Sequence, residues 1–262
     1  MGQRKGSGEA GMSELRIARL TTQEEFEACV DLQQQTWQYS AGEILPRRVF
    51  FLAEKLGGHA LGAYDGDKLV GFNLGLPAQR RGMGYIHSQM LAVLPEYRNS
   101  GLGRRMKLAQ RELAIEQGIQ VIEWTYDPLE IKNAFFNLSR LGAISRRYVP
   151  NFYGASSSPL QGGLPTDRLY AEWWVKSAHA ERVMARQPFT ERVLERLSVP
   201  AQIYAWKAEG DRRAQKTQTV LRGRLQQYFA DGLCIIGYDR EADGAGLFLL
   251  GEVPAELELR KT

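Results

Sequence analysis

The sequence predicts a mixed α/β fold built on one central sheet. Three observations predict it. Between residues 15 and 142, strand-type alternation of apolar and polar residues trades places with helical spacing. At the centre, an apolar strand over residues 85–94 runs into a turn with two glycines and then directly into an amphipathic helix. Beyond Gly142, two more strand-like runs (144–152 and 169–175) follow without intervening helices, which makes the sheet mixed rather than purely parallel.

The elements follow in order. Residues 15–20 alternate as a half-buried strand. Thr21 or Thr22 caps a helix with acidic residues in its first turn, and Phe26, Cys29, Val30 and Gln33 keep helical spacing until it fades near Trp37. Pro46 starts a second helix that Gly57-Gly58 ends. Strands over 60–64 and 68–76 flank an Asp-Gly turn. Asn73, in mid-strand, faces either an acceptor molecule or solvent. A basic loop is expected at 79–84. The central strand and turn lead to a helix over 103–117, closed by Gly118, and a strand over 120–126, broken by Asp127-Pro128. A helix over 133–141 stops at Gly142, and 154–166 reads as an exposed link.

Past Trp174 the composition changes to charged helices over 180–197 and 215–230, a short strand over 200–206 and a hairpin across Asp243-Gly244. Three parts are expected: a disordered tail over 1–13, a principal domain over 14–176 and a smaller α+β unit over 177–262. The last extends the core, makes a homodimer or covers the site.

The central turn, Arg98-Asn99-Ser100-Gly101-Leu102-Gly103, suits a pyrophosphate. Gly101 and Gly103 remove Cβ atoms that would hold phosphate oxygens away from the backbone. The first N–H groups of a helix lack intrahelical partners and bind anions along the helix dipole. Arg98, Arg104 and Arg105 add positive charge. The turn has neither the Lys-Ser/Thr pair of a nucleotide P-loop nor the third glycine of a dinucleotide fingerprint.

This stretch resembles motif A of the GNAT (GCN5-related) N-acyltransferases, Arg/Gln-x-x-Gly-x-Gly/Ala. The flanking Leu91-Ala92-Val93-Leu94-Pro95-Glu96-Tyr97 and the run from Asn133 to Ala143 are similar to that family too. Trp124 to Leu129 and Arg146 to Gly154 are similar to a branch with an extra C-terminal region. The resemblance implies a central mixed sheet, splayed where acetyl-CoA or another acyl-CoA enters. It also implies that the backbone of Leu91, Ala92 and Val93 holds the pantetheine arm, with an oxyanion donor near Leu91. The two helices between the first strands would shape the acceptor pocket, with Trp37, Tyr39, Phe50 and Phe51 either lining it or serving as core. Asn133 caps its helix, binds the CoA arm, or does both.

Direct acyl transfer needs a base and an acid. His87 is the first candidate base: it precedes the motif on the central strand, and its ordinary pKa suits proton removal near neutrality. The alternative is a structural histidine. Glu123 on the next strand is the second, acting as a base or held in a buried ion pair. The family's leaving-group tyrosine would fall at Leu138. Either Tyr126, Tyr148 or Tyr153 replaces it, or the thiolate leaves unaided. Arg146-Arg147 and Asp167-Arg168 are expected near the site mouth, where arginines bind carboxylates bidentately or are simply solvated.

Composition narrows the partners. The chain has 262 residues, 44% of them apolar and 24% charged, with a formal net charge of +4. That suits anionic ligands and does not call for nucleic acid. Cys29 and Cys234 lie far apart, and three histidines make a metal site improbable. No apolar run is long enough to span a bilayer. The expectation is a cytoplasmic N-acyltransferase that takes an acyl-CoA and a small-molecule amine and needs no metal. The alternative is a GNAT-fold protein that binds CoA without catalysis.

Overall fold

A seven-stranded sheet carries the site. The computed structural model describes residues 15–37, 42–154, 156 and 161–258; the tail expected over 1–13, and Tyr39, lie outside the described residues. The strands are β1 (Arg16–Arg19), β2 (His59–Asp65), β3 (Lys68–Arg80), β4 (Met83–Val93), β5 (Val121–Tyr126), β6 (Tyr148–Val149) and β7 (Arg168–Trp174). Their spatial order is β1-β2-β3-β4-β5-β7-β6, and every pairing is antiparallel except β4 with β5. This is the mixed α/β architecture expected.

Local chemistry sets the boundaries. Helix α1 (Gln23–Trp37) begins with a capping box. Thr22 Oγ1 accepts from the Glu25 amide at 3.2 Å, and the Glu25 carboxylate accepts from the amides of Thr21 and Thr22 at 2.7 and 3.0 Å. Helix α2 (Arg47–Lys55) follows Pro46. The basic loop expected at 79–84 is instead a two-residue turn. Arg81 and Gly82 both take positive φ (49° and 80°), the geometry that lets twisted strands continue straight into a hairpin. Strands β3 and β4 therefore run longer than expected. Helix α3 (Leu102–Glu116) starts one residue early, and α4 (Ile131–Ser139) two residues early.

The 177–258 region departs further from expectation. The helix expected over 180–197 divides into α5 (Ala178–Met184) and β8 (Glu195–Val199). Arg186 turns to φ 55° just past α5, and β8 then pairs along β10. The strand expected over 200–206 is helix α6 (Ile203–Glu209), whose Ile203 and Lys207 are one turn apart and buried. Helix α7 (Arg212–Ala230), the hairpin β9 (Cys234–Arg240) and β10 (Gly246–Gly251), and α8 (Ala255–Glu258) complete it. Strands β8, β10 and β9 form a second, three-stranded sheet. The strand expected over 144–152 is shared between the sheets: Ile144 bridges to Glu172, Ser145 to Ile235, and only β6 pairs regularly.

Two apolar clusters hold the layers. One packs α1 and α2 on β1–β4 through Phe26, Phe50, Phe72 and Leu74. The other joins Trp124, Leu138 and Trp173 to Leu221, Tyr238 and Phe248, so both sheets share one core. Buried ion pairs cross the same boundary. Lys207 Nζ lies 3.0 Å from Asp127 Oδ2 and 2.8 Å from Glu130 Oε1. Arg222 grips Asp167 through both carboxylate oxygens at 2.8 and 2.9 Å. Among the described residues, no helix is long and apolar enough to cross a membrane.

Removing one partner of a buried pair strands the other charge away from water. Lys207→Ala is expected to cost about 3 kcal/mol in urea unfolding. A midpoint equal to the wild type would show that the pair does not hold the two parts together.

Candidate active site

Strands β4 and β5 part almost as soon as they meet. Their parallel pairing covers Ile86 with Ile122 and His87 with Glu123, and no further residues. In the same place β4 carries a bulge. Its pairing with β3 steps from Met90–Leu74 to Ser88–Gly75, leaving Gln89 as the extra residue. A bulge bends a strand and sharpens its twist, which steers β4 away from β5. Among the described residues, no strand pairs with the β5-side edge of β4 from Ser88 to Val93, although the Met90 and Val93 carbonyls take side-chain donors from Asn73 and Arg98. Leu91, Ala92 and Val93 lie along this edge.

The strand then enters the glycine turn. Arg98 Nε donates to the Val93 carbonyl at 3.1 Å, and Ser100 Oγ to the Tyr97 carbonyl at 2.7 Å. Asn99 and Gly101 take positive φ (60° and 83°), and Leu102 opens α3. Gly101 is thus required by the backbone itself. Gly103 is different. A Cβ there would meet only Leu91 Cδ2, at an ordinary 3.8 Å, so nothing in the chain's own packing asks for glycine. Its lack of a side chain keeps the first turn of α3 open to an outside group, which fits a pyrophosphate. Arg104 and Arg105 are anchored to the carbonyls of Met184 and Leu15 at 3.1 and 2.6 Å, leaving their charge beside the turn.

On the sheet face shared with α1 and α2, His87 and Glu123 stand side by side in register. His87 is half-buried. Burial lowers its pKa below the ordinary histidine value, against an upward pull from Glu123, so the ring is neutral near pH 7. Glu123 is buried and ion-paired twice, to Arg80 at 2.7 Å and to Arg147. Glu172, its partner on β7, receives Arg146 at 2.5 Å. The Arg147 guanidinium also lies 3.9 Å from the Tyr170 ring centre, and Tyr153 reaches Thr125 at 2.9 Å. Three guanidiniums thus surround two carboxylates on this face. Above it, Ser156 hydrogen-bonds Glu43 at 3.4 Å, so the link before β7 meets the segment between α1 and α2.

Residues 26–138 match the family model described as the acetyltransferase (GNAT) family. That span is similar to a GNAT acetyltransferase domain. Solved structures share its fold. A GNAT-family protein from Desulfovibrio desulfuricans superposes with a TM-score of 0.50 at 15% identity, covering 62% of this chain and 99% of its own. The NatC complex, solved with Gag peptide and CoA, gives 0.50 at 15% identity, covering 61% and 97%. No curated protein matches the chain.

Several expected GNAT site residues lie elsewhere. Tyr148 pairs with Leu169, which pairs with Tyr126, so Tyr148 is two strands from β5 and on the sheet face opposite His87. Its hydroxyl donates to Asp167 at 2.6 Å, and burial raises its pKa. The structure does not bring it to His87 and Glu123. Tyr126 is likewise buried, on Ser145 at 3.1 Å. Asn133 does not cap α4, which starts earlier; it is exposed in the first turn. Leu138 is wholly core. Of the aromatic residues assigned to the acceptor pocket, Phe50 is core, Phe51 is exposed and Trp37 packs edge-on against Phe72. Asn73 faces neither solvent nor the His87 side: its amide donates to Ser88 Oγ at 3.2 Å and to the Met90 carbonyl at 3.0 Å.

Asn73 belongs to a buried polar network on the α3 face that the sequence reading missed. Lys107 Nζ donates to Ser88 Oγ at 2.7 Å and to Gln110 Oε1 at 3.1 Å. The Gln110 amide donates to His59 Nε2 at 2.8 Å, which requires that nitrogen to be unprotonated. The available signal was the spacing of α3. Lys107 and Gln110 fall on the same buried stripe as Met106 and Ala114.

Burial takes the His59 pKa from 6.5 down to about 4. The unfolded chain therefore binds the extra proton between those values, and stability falls as pH drops through that window. His59 is expected to contribute about 3 kcal/mol above the window. Urea unfolding at about pH 7 and pH 4.5 checks this. The loss on acidification should shrink in His59→Gln; an equal loss in both proteins would contradict it.

Proposed function

We propose that the chain is an acyl-CoA-dependent N-acyltransferase. It moves an acetyl or succinyl group to the primary amine of a small molecule of amino-acid type, by direct attack in a ternary complex. The observation that carries this reading is the gap between β4 and β5, opening at His87 and Glu123 and leading along one strand to the glycine turn. Such a gap exposes backbone donors in a line and ends at an anion site, which is the shape of a pantetheine arm with its pyrophosphate.

The residues divide the work. The amides at the start of α3, with Arg98, Asn99, Ser100, Gly101, Leu102, Gly103 and Arg104 around them, hold the pyrophosphate. The freed edge at Leu91, Ala92 and Val93 holds the arm, and an amide near Leu91 polarises the thioester carbonyl. Asn133, exposed on α4, is available to the arm. His87 takes the proton from the attacking amine. Glu123 acts with Arg80 and Arg147 as a fixed ion cluster rather than as the base, since its carboxylate already accepts from both. The excess guanidinium on this face favours an acceptor or acyl group with a carboxylate. No role is assigned here to Tyr148. A homodimer, and a cytoplasmic setting where acyl-CoA is available, are compatible with this reading.

A CoA-binding protein without catalysis is the second reading, favoured by Leu138 in the tyrosine position. Calorimetric titration of acetyl-CoA and succinyl-CoA, followed by turnover with amines and a peptide, separates the two. Gly103→Glu should change stability by no more than about 0.5 kcal/mol, because the site is open, yet abolish binding. No binding by folded wild type would end both readings. With an accepted amine, His87→Ala is expected to lower kcat roughly 100- to 1,000-fold while leaving the acyl-CoA Kd unchanged. Wild-type kcat/KM should rise with pH through a limb below about 6.5, where the lowered histidine loses its proton.

A further inference from the structure

We propose that the Lys107 ammonium holds the departing CoA thiolate as an ion pair. This rests on the acyltransferase reading above. Three observations support it. First, Lys107 lies where the two strands part: the last paired residues of β4 and β5 are His87 and Glu123, and Nζ contacts the next residue on each strand. It donates to Ser88 Oγ on β4 at 2.7 Å and lies 3.7 Å from the ring centre of Trp124 on β5.

Second, the cation is buried without a carboxylate. The residue is 3% exposed, and among the described residues it forms no salt bridge. Its partners are Ser88 Oγ, Gln110 Oε1 and the indole face, none of them charged. An unpaired buried charge is costly, and packing alone would favour methionine at this position. Desolvation also lowers the lysine pKa well below its ordinary value, and an anion placed beside it would restore the charged form. The other ionisable groups facing it are His59 on β2 and His87 on β4. Burial lowers both, so neither adds charge near neutrality.

Third, the two faces divide the chemistry. The glycine turn opens α3, so the pantetheine arm and its sulfur approach from the α3 side, where Lys107 lies. His87 is on the opposite side, where the amine enters. Tyr126 and Tyr148 are fastened to Ser145 and Asp167, and Leu138 has no proton to give. The step balances as follows. The amine nitrogen bonds to the acyl carbon and gives one proton to His87. The C–S bond then breaks, and sulfur keeps the electron pair and leaves as a thiolate paired with the Lys107 ammonium, taking a proton from water once released. The imidazolium is reset by losing its proton to water.

An ammonium beside sulfur favours its anion, and this can be read without knowing the acceptor. The thiolate absorbance of CoA is titrated from about pH 6 to pH 10, free and bound to wild type and to Lys107→Met. Bound to wild type, the thiol should ionise about one unit or more below free CoA. Bound to Lys107→Met, it should ionise no lower than free CoA. A wild-type shift that survives in the variant, or no shift in wild type, overturns the proposal. Lys107→Met should melt at or above the wild-type Tm. If the variant does not fold, the wild-type titration still decides: an unshifted thiol overturns the role, and a shift that follows loss of the lysine proton at high pH supports it. Failure of wild type to bind CoA at all would instead sink the acyltransferase reading.

Discussion

Everything at the site depends on the parting of β4 from β5. Parallel strands ordinarily continue together, because each extra pair satisfies backbone groups that are otherwise exposed. Here the pairing stops after His87 and Glu123, and the bulge at Gln89 turns the strand aside. The unpaired edge is a standing demand for hydrogen-bond partners, and a ligand with amides along its length can meet it. The parting also brings side chains on opposite faces close to one gap, with the neutral His87 on one side and the Lys107 cation on the other.

The two faces handle charge in opposite ways. Around Glu123 and Glu172, arginines and carboxylates alternate, and the group is held together by ion pairs over tyrosine rings. Around Lys107 the surroundings are hydroxyl, amide and indole, all neutral. The first arrangement fixes geometry and leaves an excess of positive charge for a substrate. The second surrounds one amine with neutral groups in a place of low dielectric, where a charge beside it counts most.

The fold was readable in the sequence where local rules agree with tertiary ones. The capping box at Thr22 and Glu25, the Asp-Gly turn and the glycine turn each fix their element by short-range chemistry. The 180–206 stretch was misread because its charge-rich spacing fits a helix as well as an edge strand. The free side of β10, far along the chain, decides between them. The phosphate turn was legible because an anion site needs glycines and amides that are adjacent in sequence. The network of His59, Asn73, Ser88, Lys107 and Gln110 was not: its members come from four elements, and periodicity marks Lys107 only as an anomaly on a buried stripe. Tyr148 was one of three tyrosines named to stand in for Leu138, and strand order places it two strands from β5.

The ion pairs between the two sheets have a wider meaning. Asp127 and Asp167 sit at the end of β5 and the start of β7, both buried, and each takes its cation from beyond residue 200. The three-stranded part of the molecule is therefore a counter-ion donor to the part that holds the site. A shortened gene product ending near Val175 would keep every residue of the β4–β5 gap, yet it would strip two acids of their cations and lay the shared apolar core open to water. The boundary that a family match suggests is thus poor guidance for cutting this chain, and the later segment is better regarded as part of the sheet's electrical balance than as an appendage.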